Sequence, residues 1–111
     1  MHKFLAAIVF YAASVSAQAG PCSPLNDPEM KGMSVDELAA ETCKASKINA
    51  VNYEEVMSNL DVRQGPAPHP NAQENFDQCE AKIDRMLRAL RAKDVHEKVD
   101  DLCKRTRPAT P

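Results

Sequence analysis

Apolar positions recur along most of this chain at helical spacing, and no segment alternates in the manner of a strand. The clearest pattern lies in 72–92, where Phe76, Cys79, Ile83, Met86, Leu87 and Leu90 share one face and charges fill the rest. That spacing predicts a helix from Ala72 to Ala92. Val35, Leu38, Ala39 and Thr42, with Cys43 on the flank, predict another from Val35 to Lys47. Tyr53, Val56, Met57 and Leu60 fall at i, i+3, i+4 and i+7 and predict a third from Tyr53 to Leu60. A fourth, from Val95 to Lys104, carries Val95, Val99, Leu102 and Cys103 on one side. Its apolar face is rotated away from that of 72–92, so the chain is expected to turn near Lys93. One long helix with a drifting stripe is the alternative.

Local signals mark where these helices should begin. In a capping box, a cap side chain accepts a hydrogen bond from a free backbone N–H, and a Glu three positions later reaches back. The pairs Ser34 and Glu37, Asn52 and Glu55, Asn71 and Glu74, and Asp94 and Glu97 all have this spacing. Asp27-Pro28-Glu29 is able to open one short turn, ended at Gly32. The segment 62–70 holds three prolines and a glycine, which cannot continue a helix, and reads as an extended loop. The tail 106–111 is expected to be disordered, and no internal repeat is present.

The first residues bear on compartment. A short basic start (Met1-His2-Lys3) precedes the mainly apolar run from Phe4 to Val15, and small residues then suit cleavage after Ala17 or Ala19. This is the pattern of a secretory signal peptide. The run is shorter than the ~20 residues a spanning helix needs, so no membrane anchor is expected. The chain divides into a signal peptide (1–17, or to 19), a single helical domain (18–105) with its Pro-rich loop (62–70), and the tail. Cys22, Cys43, Cys79 and Cys103 all survive cleavage. An even count in a small secreted chain predicts two disulfides. Pairing of neighbours, Cys22 with Cys43 and Cys79 with Cys103, is the favoured arrangement. The interlocked pairing, Cys22 with Cys79 and Cys43 with Cys103, comes second. The expected fold class is therefore all-α: a small disulfide-stabilised bundle of about four short helices.

Composition narrows the functional classes. The chain has 111 residues, 27% of them charged, and a formal net charge of −2, which becomes −3 once Lys3 is removed with the signal. That balance gives no electrostatic case for nucleic acid. His69 and His96 are the histidines left after cleavage, and neither has a second ligand at metal-binding spacing. No nucleophile elbow, phosphate loop or dinucleotide fingerprint occurs. The acidic pairs Glu54-Glu55 and Asp100-Asp101 are sequence neighbours that point about 100° apart on a helix, so neither forms an acid/base dyad. The reading is of a non-enzyme without metal or cofactor.

Charge distribution supplies the one candidate site. Residues 18–65 carry 8 acids and 4 bases, whereas 66–111 carry 8 acids and 9 bases. Arg85, Arg88 and Arg91 step by three along the helix predicted from Ala72 to Ala92 and form a slanting ridge, which suits an acidic protein partner. Met30, Met33, Met57 and Met86 would fill an imperfect core or line an adaptable groove. Lys104-Arg105 is a dibasic pair open to processing or to complementing a helix end.

Two functions follow as expectations. The first is a small secreted helical protein, extracellular or periplasmic, that acts by binding a macromolecular partner as an effector, toxin, hormone or inhibitor does. The second is a carrier of a small apolar ligand between helices, comparable to odorant-binding proteins in role only. The gaps of 20, 35 and 23 residues between cysteines lack the close spacings of that family. About twenty large apolar residues barely close a core and leave little to line a cavity, though a dimer could supply the missing surface. An enclosed cavity of a few hundred Å³ would favour the carrier, and a solid core the first reading.

Overall fold

The structure is a computed structural model and describes residues 18–60 and 68–106. The signal peptide, most of the Pro-rich loop and residues 107–111 lie outside the described residues. What is described is all-helical, without a strand: α1 (Asp27–Lys31), α2 (Val35–Asn59), α3 (Ala72–Arg91) and α4 (Val99–Thr106). The long α2 is the centre of the fold, with α3 and α4 both packed on it. Leu38, Met86, Leu90 and Leu102 from these three helices are fully buried, and Met30 of α1 and Ile83 complete the large side chains of the core.

The first helices start where caps exist. At α1, the Asn26 side chain accepts from the Glu29 N–H at 2.8 Å, and Glu29 reaches back to the Asn26 N–H. At α2, Ser34 Oγ accepts from the Glu37 N–H at 3.1 Å while the Ser34 N–H donates to Glu37 at 2.8 Å. The Ser34 N–H, donating to it, holds the Glu37 carboxyl below its ordinary pKa, and the Ser34 side chain adds to the pull. The other three expected boxes do not form. Asn71 makes no side-chain cap bond. Asp94 sits instead at φ 65° in the turn that ends α3. There the Val95 N–H donates to Leu90 O and the Asp94 N–H to Arg91 O, both at 3.0 Å, the double closure of a Schellman motif. The corner expected near Lys93 is thus present, but it is made by a helix C-terminus. α4 starts at Val99 instead of Val95, and reaches Thr106, the residue at which the tail was expected to begin.

The largest correction concerns 35–60. The two helices expected there are one uninterrupted helix, α2, of 25 residues. Asn52, read as a cap, lies inside it and is fully buried. The inward stripe runs Leu38, Thr42, Ala45, Asn49, Asn52, alternating steps of four and three. Its second half is polar, so apolar periodicity alone loses it. The face expected to be buried is turned outward: Tyr53, Met57 and Leu60 are exposed. Tyr53 keeps one partner, a tilted contact with Phe76 of α3 at 6.0 Å between ring centroids.

The cysteines follow from this geometry. Cys22 pairs with Cys79 and Cys43 with Cys103, with Cα atoms 5.2 and 5.1 Å apart. The favoured neighbour pairing is therefore wrong and the interlocked one is correct. The extended stretch after Asp94 carries α4 onto α2, away from the middle of α3, so Cys103 meets Cys43. Cys79 is left facing the N-terminal arm.

Candidate functional site

Three polar devices of α2 hold the rest of the chain in place. The Asn52 carboxamide binds both backbone groups of Gly20, accepting from its N–H at 2.8 Å and donating to its carbonyl at 3.0 Å. Asn52 also donates to Asn49, whose own amide donates to Glu80 of α3. Asn59 repeats the arrangement on His69, accepting from its N–H at 3.0 Å and donating to its carbonyl at 2.7 Å. The His69 ring lies 3.5 Å from the Glu55 carboxylate, so this histidine belongs to the second clamp. Lys82 of α3 is largely buried and pairs with Glu41 at 3.4 Å. Among the described residues no buried side-chain polar atom lacks a partner, which is the condition for a stable polar interior. These side chains are engaged by their neighbours and hold the elements together.

The surface is different. A cleft of about 540 Å³ opens between α1 and the C-terminal part of α3. Its floor is apolar, with Met30 buried and Ala89 half-buried, and Ala92 beside them. Four cations line it, Lys31, Arg85, Arg88 and Lys93, against one carboxylate, Asp27. The concentration of positive charge is local, since the whole chain is formally −2. Arg85 crosses the cleft to Asp27 at 2.6 Å, joining α3 to α1. That guanidinium, hydrogen-bonded to it, holds the Asp27 carboxyl below the usual carboxylate range, and Lys31 and Arg88 add to the pull. Arg88 pairs along its own helix with Asp84 at 2.6 Å. Lys31 and Lys93 make no ion-pair contact among the described residues.

The arginine ridge is thus divided. Arg85 and Arg88 line the cleft, while Arg91 lines a separate recess of about 240 Å³ with Leu87, Val95 and His96. Steps of three drift by about 60° each around a helix, so a ridge of three turns out of one groove into the next. Sequence reasoning missed Lys31 and Lys93, which enter the cleft from a short helix and from the turn after α3. Met30 lies in the cleft floor, and Met86 is core. Lys104 and Arg105 both engage acids: Lys104 with Asp101, and Arg105 with Asp36 of α2 and Glu97.

Among the described residues no helix is long and apolar enough to cross a membrane. No three His, Cys, Asp or Glu side chains among them form a group able to hold a metal ion. Comparison with protein-family models, with curated proteins and with solved structures gives no match for this chain.

Proposed function

We propose that this is a secreted, disulfide-locked helical protein that acts by binding a macromolecular partner at its surface, without chemistry of its own. The observation that carries the reading is where the space lies. The core positions between α2, α3 and α4 are filled by fully buried side chains, while an open, cation-lined cleft of about 540 Å³ lies at the surface. The signal-peptide pattern at 1–19 and two disulfides with no free thiol support export to an oxidising compartment.

Native mass spectrometry of the secreted, non-reduced protein tests the reading, with a denatured run beside it. The denatured mass should begin at Gln18 or Gly20 and lack four hydrogens. The native and denatured masses should then agree. A native excess of a few hundred daltons would overturn the reading in favour of a small-molecule carrier.

A further inference from the structure

We infer that the cleft between α1 and α3 takes an acidic peptide segment of the partner, and that Asp27 is its built-in competitor for Arg85. This deepens the surface-binding reading above and rests on it. The argument begins with charge. Four cations converge on one cleft of a chain whose overall charge is negative, and two of them, Lys31 and Lys93, make no ion-pair contact among the described residues. Such a concentration attracts anions and steers their approach.

The chemical type of anion is indicated from inside the cleft. Asp27 already places a carboxylate oxygen 2.6 Å from Arg85 Nη2, so the site holds a carboxylate at hydrogen-bonding distance. A second carboxylate would meet Arg85 by displacing Asp27, and Arg88 by displacing Asp84, both exposed partners. Exposed pairs of this kind are weak, so the exchange costs little. The floor of Met30 and Ala89 is apolar and would take one aliphatic side chain between the acids. A bilayer surface fits less well. The cations sit around a recess between two helices, which a peptide segment enters more readily than a flat bilayer surface.

The test is a fluorescence-anisotropy titration at low ionic strength. The probe is a fluorescein-labelled peptide of glutamates flanking one leucine, compared with its lysine counterpart. Wild type should bind the glutamate peptide and not the lysine one. Asp27→Asn frees Arg85 and should tighten binding about two- to fivefold, the worth of one exposed pair. Arg88→Glu and, independently, Lys31→Glu should each weaken it about tenfold. Lys47→Glu, at an exposed position of α2, makes the same charge change outside the cleft and should leave binding within about twofold. Circular dichroism verifies that each variant is folded. The inference is overturned if Asp27→Asn fails to tighten binding, or if Lys47→Glu weakens it as much as Arg88→Glu. It is also overturned if phosphatidylserine vesicles bind the protein and the peptide does not. None of these outcomes alters the native mass, which reports on the surface-binding reading alone.

Discussion

Asn52 is the residue whose removal should disturb the fold most for its size. It is fully buried in the middle of α2 and binds both backbone groups of Gly20, at 2.8 and 3.0 Å. Each such bond contributes about 1 kcal/mol net. Asn52→Ala loses both, together with the bond to Asn49, and the small void left behind costs about 0.5 kcal/mol more. Alanine's higher helix propensity returns about the same amount. The expected loss is about 3 kcal/mol, or roughly 12–24 °C in Tm for a chain of this size. Urea denaturation of the disulfide-intact protein measures it. Hydrogen exchange locates it, because the Gly20 amide should lose protection while the α3 core amides keep theirs relative to global stability.

Asn52→Asp sharpens the test by keeping the shape. One carboxylate oxygen still accepts from the Gly20 N–H, but the other faces the Gly20 carbonyl and the Asn49 side-chain oxygen, where a donor is required. Burial and that repulsion raise the folded-state pKa of the new Asp above its unfolded value of about 4. The charged form is therefore what destabilises. Its penalty is absent below pH ~4, grows as pH rises through the window between the two pKa values, and is complete above the folded one. At pH 7 Asn52→Asp should be less stable than Asn52→Ala, and at pH 4 the order should close or reverse. A change under about 0.5 kcal/mol in both variants, with Gly20 protected as in wild type, would refute the clamp.

Replacing Cys43 and Cys103 together by serine removes a crosslink spanning 60 residues and should cost about 4 kcal/mol by loop entropy, read as a shift in urea midpoint. A loss below about 1 kcal/mol would mean that the disulfide does little to restrict the unfolded chain. Ser34→Ala should cost about 1 kcal/mol because its cap bonds exist, whereas Asn71→Ala should be near neutral because Asn71 makes none; equal losses would contradict the assignment of the two caps. Asp27, held low by Arg85, contributes stability above the unfolded carboxylate value that is lost as pH falls through its folded pKa. Arg85→Ala should return the Asp27 titration, followed by carboxyl NMR, to its ordinary range and narrow that acid-dependent loss. An unmoved titration would place the cause elsewhere.

The parts of this fold that could be read in advance are those stabilised locally and by apolar contact. α3 is the clearest, since Cys79, Ile83, Met86 and Leu90 repeat at helical spacing and all four are buried. The short α1 ending at Gly32 and the corner after α3 were likewise visible, because turn residues act within a few positions. α2 was not, for a specific physical reason. A capping asparagine and a buried clamp asparagine have the same side chain and the same taste for backbone partners. The spacing of Asn52 to Glu55 fits a cap, but the partner Asn52 binds is Gly20, 32 positions away. Only the fold supplies that partner, and without it half of the inward stripe of α2 reads as solvent-facing. The disulfides are tied to the same fact. Once α2 is continuous, it offers α4 a surface at Cys43 and leaves Cys79 to the arm that Asn52 holds, so the interlocked pairing follows from helix packing that no cysteine spacing encodes. The cleft has the same origin. Arg85 and Arg88 are visible as a ridge on one helix, but Lys31 and Lys93 join them only after α1 lies against α3. A site of this kind is assembled from charges that look ordinary one helix at a time.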